Sequence, residues 1–259
     1  MRPGGERVNL LRVSTPRLML GKVPVDVVTF AEALDAVERL VLERKGGFVF
    51  TPNIDHVVSV EDNPDFEKAY ARASLSLADG MPIVWASRLM GSALPERVAG
   101  SDLVAPLLER AGKRGWRVYF LGAGPGVAEK AAAIARERWG TDVIGTDAPM
   151  VNLADTAQVD AIAAQLAAAK ADLVFMAFGA PKQELLIDRI ADRVRPAVLL
   201  GIGASLDFIA GTMIRAPELM RRAGLEWLYR LAQEPGRLWK RYLVNDPKFL
   251  LILLRTLLR

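Results

Sequence analysis

Six short apolar runs, each closed by a turn and followed in most cases by a helix-like stretch, constrain this chain more than any other feature. They are FVFTPN (Phe48–Asn53), SLADGMP (Ser76–Pro82), WRVYFLGAGPG (Trp116–Gly126), TDVIGTDAP from Thr141, DLVFMAFGAPKQE (Asp172–Glu184) and AVLLGIGASLDF (Ala197–Phe208). Strands that are apolar on both faces must be covered on both faces. Alternation with helical segments therefore predicts an α/β fold with a mostly parallel sheet between two helical layers. The intervening segments carry helix punctuation. TFAEALDAVERLVLERKG stops at Gly46, and DNPDFEKAYARAS offers Asn63 as cap with Pro64 at the first position. RVAGSDLVAPLLERAGKRG reads as a loop, a Ser101 cap and a helix, while residues 1–20 read as loosely ordered.

The chain's 259 residues suffice for one large α/β domain, or for a domain with an appendage. With no cysteine, a thiolate nucleophile and a disulfide framework are excluded, and a single histidine, His56, excludes a histidine-rich metal site. MRPGGERVNL lacks the apolar core of a secretion signal and no run reaches 18 apolar residues, so a cytoplasmic, non-spanning protein is expected. Charge is unevenly placed. Residues 215–259 hold ten Lys/Arg against four Asp/Glu, whereas the remainder holds 24 against 26. The whole positive excess therefore lies in a C-terminal segment without strand signal, which points to an anionic surface or ligand. The segment ends in KFLLILLRTLLR, suited to a membrane interface, to a partner, or to packing on the body.

Several strand ends carry groups able to do chemistry. Asp79 in SLADGMP stands at the carboxyl edge of the sheet, where α/β proteins bind ligands, although an N-cap on the next helix would use the same residue type. TPNIDH offers Thr51, Asn53 and His56, and an asparagine there also suits an ordinary turn. GAGPG could hold a phosphate on amides near Gly122 and Gly124. It departs from the dinucleotide fingerprint, because Val127 stands where a third glycine is required, although Asp147 lies about where a ribose-binding acid would. GAPKQE puts Lys182 and Gln183 at a helix start, to meet phosphate or sugar hydroxyls or to face water. Asp207 lies beyond the following strand, placed for a ribose or a base edge. No D-x-D triplet occurs, so no metal site is expected and leaving-group charge would fall to amides and to Lys or Arg. Arg230, Arg237 and Arg241 share one helix face if Pro235 does not interrupt it, and a solvated basic face is the competing reading.

The ordered blocks TPNIDH, LADGMPIVWASRLMG, ERVAGSDL, YFLGAGPGVAEKAA, FGAPKQE, GIGASLDFIAG, RAPELMRRAGLEWLYRLAQEP and RLWKRY, from about Thr51 to Tyr242, resemble the WecG/TagA/CpsF family of bacterial glycosyltransferases. That resemblance implies a Rossmann-like α/β catalytic domain, here residues 1–214, with a basic, membrane-facing helical appendage at 215–259. It implies transfer of N-acetylmannosamine, its uronic acid or a glucose-type sugar from a UDP-sugar, with inversion and without metal or other cofactor. The implied acceptor is a sugar on a polyprenyl-pyrophosphate lipid, met peripherally on the inner face of the cytoplasmic membrane, in cell-surface polysaccharide or teichoic-acid-like synthesis. By the same resemblance Asp79 is the general base, with Thr51 and Arg97 beside the site. Gln183 and Asp207 then face the nucleotide, while Arg230, Arg237 and Arg241 reach the diphosphate. No nucleic acid is implied as partner, and an apolar tail past Tyr242 suits a homo-oligomer.

Two other functions fit parts of the sequence. A nicotinamide-dependent oxidoreductase would use GAGPG and Asp147, and Val127 counts against it. A non-enzymatic scaffold docked on anionic lipid would explain the basic tail but not the polar groups at four strand ends.

Overall fold

The computed structural model describes residues 15–258, apart from the side chains of Arg222 and Arg237. The chain begins with a hairpin, β1 (Arg17–Leu20) and β2 (Val23–Asp26), and continues through α1 (Phe30–Glu43), β3 (Gly47–Phe50), α2 (Ile54–Glu61), α3 (Pro64–Arg72) and β4 (Leu75–Ser76). Next come α4 (Met81–Leu89), α5 (Gly100–Arg114), β5 (Arg117–Gly122), α6 (Val127–Trp139), β6 (Asp142–Asp147) and α7 (Thr156–Ala169). The α/β part closes with β7 (Leu173–Ala177), α8 (Lys182–Ile190), β8 (Val198–Gly201) and α9 (Ser205–Ala210).

All six apolar runs enter one sheet, in the order β4-β3-β8-β7-β5-β6, and every pairing in it is parallel. The double-sided burial expected of such strands is visible residue by residue. Leu173 and Phe175 of β7 join Val118, Phe120, Val198 and Leu200 in a layer filled by α1, α5, α6 and α9. Val174 and Met176 join Tyr119, Leu121 and Leu199 on the other face, against α3, α7 and α8. Phe120 and Phe175 are in register on adjacent strands and fully buried, each contributing about 2 kcal/mol of apolar burial.

The first residues differ from expectation. Residues 1–14 lie outside the described part, but Arg17–Leu20 is a strand, not loosely ordered chain. The cause is a partly buried ion pair across the hairpin, joined by bonds to distant carbonyls, that four residues of local sequence do not announce. Arg17 Nε meets Asp26 Oδ1 at 2.8 Å, and the same guanidinium donates to the carbonyls of Ala73 and Ser74. Asp26 Oδ2 accepts from the Ser76 amide at 2.7 Å, which anchors the hairpin to β4. The Ser101 cap is also corrected: α5 starts at Gly100 with Ala99 at the cap position and no side-chain cap.

Beyond residue 215 the chain is helical: α10 (Glu218–Arg222), α11 (Glu226–Gln233), α12 (Pro235–Lys240), a π-type turn (Arg241–Asn245), a 3₁₀ turn (Asp246–Lys248) and α13 (Phe249–Leu257). Pro235 does interrupt the helix. Glu234 before it adopts φ −132° and ψ 58°, as a pre-proline residue pushed out of the α region does. Helix α13 has two apolar faces. Phe249, Ile252 and Leu253 are buried in the same layer as β1 and α2, and the Gly21 amide donates to Thr256 Oγ1 at 3.2 Å. Leu250, Leu251, Leu254 and Leu257 face outward.

Candidate active site

The carboxyl ends of four adjacent strands, β4, β3, β8 and β7, open into a cavity of about 780 Å³. From β3 the chain runs to the β4 edge, whereas β5 leads to the opposite edge before β7 and β8 return inward. Such a change of direction leaves a crevice above the sheet. Its second wall comes from the C-terminal helices, through Glu226, Trp227, Arg230, Arg241, Tyr242 and Phe249.

Asp79 follows β4, and its amide donates to the Pro52 carbonyl at 2.8 Å, which holds it beside the end of β3. Its carboxylate does not cap α4: that helix has Gly80 at the cap position and no side-chain cap. Instead Asp79 lines the cavity. Desolvation pushes its pKa up to about 6, opposed by the Arg97 and Arg215 charges and reinforced by Glu226 and Asp102. A carboxylate poised there is a competent base near neutral pH.

Arg97 is not a free cation. Its guanidinium donates to Asp102 at 2.7 Å and to Glu226 at 3.2 Å. Arg215 adds a 2.6 Å bond to Asp102, and Arg221 one of 3.3 Å. This network ties α5 to the start of α11 and flanks Asp79 with three guanidiniums and two carboxylates. Thr51 lines the cavity at the end of β3.

Asn53 caps a helix absent from the sequence reading: its Oδ1 accepts from the His56 amide at 3.3 Å at the start of α2. The same oxygen accepts from Arg241 Nη2 at 3.3 Å, and Arg241 Nε lies 3.4 Å from Asp55 Oδ2. His56 is buried with Nδ1 bonded to the Tyr70 hydroxyl. Burial, and secondarily the Arg241 charge, depress its pKa to about 3, so it stays neutral. Arg230 lines the cavity with a buried Nε that has no hydrogen-bond partner among the described residues. Asp246 also faces in, and burial raises its pKa to about 6 against the opposing charge of Arg241.

Gln183 and Asp207 reach the cavity from the ends of β7 and β8. Asp207 Oδ1 accepts from Thr212 Oγ1 at 3.3 Å. Glu184, next to Gln183, is fully buried, and desolvation lifts its carboxyl to about 7.

Thus Thr51, Asn53, Asp79, Arg97, Gln183, Asp207, Arg230 and Arg241 meet in one cavity. Gly122 ends β5, one strand further on, and Gly124 follows it; neither is among the cavity's lining residues. Gly122 has a structural reason of its own. With φ at +104°, a Cβ there would lie 2.6 Å from the Ala177 carbonyl oxygen, where β5 and β7 close together. Lys182 faces solvent at the first turn of α8. Asp147 is occupied by the Ala148 amide and Gln165. Arg237 lies on α12, and its side chain is outside the described residues. Sequence reasoning missed Trp85, Trp227, Glu226 and Asp246 as lining groups; GLEWLYR, with an acid and an aromatic inside an otherwise basic segment, was the available signal. Among the described residues, no group of three or more His, Asp or Glu side chains is arranged to hold a metal ion.

A family model described as "Glycosyl transferase WecG/TagA/CpsF family" matches residues 18–259. Among curated proteins, the N-acetylglucosaminyldiphosphoundecaprenol N-acetyl-beta-D-mannosaminyltransferase of Bacillus spizizenii is similar: it is 36% identical over 214 residues, covering 82% of this chain and 80% of that protein.

Proposed function

Because the chain belongs to the WecG/TagA/CpsF family of glycosyltransferases, we propose that it moves N-acetylmannosamine from UDP to N-acetylglucosamine on a diphosphopolyprenol, with inversion and without a metal ion. The relative's name favours that sugar and that acceptor over the uronic acid and glucose-type alternatives. The observation that carries the reading is a carboxylate of raised pKa at the end of β4, Asp79, in the same cavity as the arginines Arg230 and Arg241.

In this mechanism Asp79 takes the proton from the acceptor hydroxyl as that oxygen attacks the anomeric carbon. The bond from that carbon to the UDP oxygen breaks on the opposite face, and the electron pair leaves with the diphosphate. No covalent enzyme intermediate forms, so one base is enough. Negative charge grows on the departing phosphate, where fixed cations in a water-poor site stabilise it most. Arg230, Arg241 and Arg237 are assigned to that task, Gln183 and Asp207 to the nucleotide, and Thr51, Asn53 and Arg97 to positioning around Asp79. Residues 1–214 then act as the catalytic domain and 215–259 as an appendage that completes the site.

The direct test is UDP release from a panel of UDP-sugars, with a short polyprenyl-diphosphate N-acetylglucosamine acceptor, in excess EDTA. Acceptor-dependent release with UDP-N-acetylmannosamine, undiminished by the chelator, is expected. Release that stops on chelation sinks the metal-free mechanism, and release with a different sugar alone sinks the donor assignment.

A membrane-facing role for the appendage is proposed on the same footing. No helix among the described residues is long and apolar enough to cross a membrane. Helix α13, however, presents outward leucines within a segment that carries the chain's positive excess, a combination that suits an anionic interface. Leu251 and Leu254 are 60% and 53% exposed. Changing both to serine is expected to abolish co-sedimentation with anionic vesicles while leaving Tm nearly unchanged. Undiminished vesicle binding would remove α13 from the interface.

A further inference from the structure

Glu184 does no work in the mechanism above, yet it is a fully buried carboxyl at the first turn of α8. Burying such a group is unfavourable unless its bonds are made, and among the described residues Glu184 Oε2 has no hydrogen-bond partner. Its other oxygen is engaged. Gln183 Nε2 donates to Glu184 Oε1 at 2.7 Å.

The adjacent amide is held at both ends. The Gly203 backbone N–H donates to Gln183 Oε1 at 3.1 Å. A backbone N–H cannot accept, so this contact decides which end of the side chain is oxygen. Below the pair, the β8 backbone leaves little room. A Cβ on Gly201 would stand 3.0 Å from Gln183 Nε2 and 3.3 Å from Glu184 Oε1. Gln183 itself is only 3% exposed, and what it exposes lines the cavity. With one amide hydrogen used by Glu184 and one lone pair of the oxygen used by Gly203, one N–H and one lone pair remain, and the N–H is held in place by its geminal partner's bond.

We infer that Glu184 is a positioning residue, whose Oε1 locks the Gln183 amide so that its remaining N–H is presented to the bound nucleotide in one fixed orientation. The group that this N–H meets is an acceptor, such as a base carbonyl or a phosphate oxygen. Oε1 accepts whether the carboxyl is ionised or protonated, so the lock holds in either state. The ligand half of this inference rests on the UDP-sugar reading. The lock itself does not.

The test uses the full chain, ¹⁵N-labelled, with the Gln183 side-chain signals assigned by their loss in Gln183→Leu. In the wild type these two protons are expected to be well separated and slow to exchange with water. Glu184→Leu should collapse the separation, and Glu184→Gln, which keeps a carbonyl oxygen, should restore it. In turnover, Glu184→Leu should raise the donor KM about tenfold, the worth of one hydrogen bond, with kcat little changed. It should add nothing to Gln183→Leu in the double variant. Fast exchange in the wild type overturns the inference without any variant, as do unchanged signals in Glu184→Leu or additive KM effects. A locked amide in a protein that turns over no UDP-sugar would instead sink the donor reading and leave Glu184 in place.

Discussion

Replacing Asp79 with asparagine is expected to lower kcat about a thousandfold, the usual worth of a positioned general base, while leaving a folded protein. Asparagine keeps the shape and loses only the ability to take a proton. For the wild type, kcat/KM should rise with pH and level off above about 6, because Asp79 must be ionised to act and burial holds its pKa at about that value. The same shift makes a prediction about stability. A carboxyl whose folded pKa lies above its unfolded value binds protons more tightly when folded. Its contribution is therefore present in acid and is lost as pH rises from 3.8 to about 6. Asp79→Asn removes that loss, so its Tm at neutral pH should exceed the wild type's, by at most about 3 kcal/mol of stability. Calorimetry beside steady-state kinetics reads both effects. A variant that keeps wild-type kcat, or a flat pH profile across 5 to 7, excludes Asp79 as the base.

Arg230→Ala should cut kcat by about a hundredfold, comparable to removing one preorganised group from a charge-stabilising site. The unpartnered Nε of Arg230 makes this substitution informative. No described hydrogen bond to that atom is lost, so urea midpoints should match the wild type and the deficit should fall on turnover. Arg241→Ala is a less clean probe, since it also releases Asn53 and Asp55. Turnover within a few-fold of wild type in Arg230→Ala would remove that residue from the leaving-group role.

The sheet was readable in the sequence because parallel strands are apolar on both faces, a pattern that needs no partner to be seen. What pairing decides was not readable. GAGPG and GAPKQE look equally suited to phosphate, and strand order alone puts the first beyond the cavity while the second contributes Gln183. The Arg17–Asp26 pair makes β1 a strand through contacts reaching to Ala73 and Ser74, which local pattern does not carry. Helix α2 is hard to see because it is only eight residues long and its cap, Asn53, equally suits a turn. Asp79 was found by its place at a strand end, but its freedom from capping depended on Gly80 taking the cap position.

The contact between Gly21 and Thr256 joins residues 235 positions apart. A chain emerging from the ribosome carries β1 and α2 early, yet their apolar cover, α13, follows every strand of the sheet. Until α13 emerges, that face of the nascent protein stands open, and its outward leucines are still unmade. Completion of the core, closure of the cavity wall and arrival of those leucines thus fall together, late in synthesis. A half-made transferase has neither a finished site nor the helix proposed to bring it to a membrane.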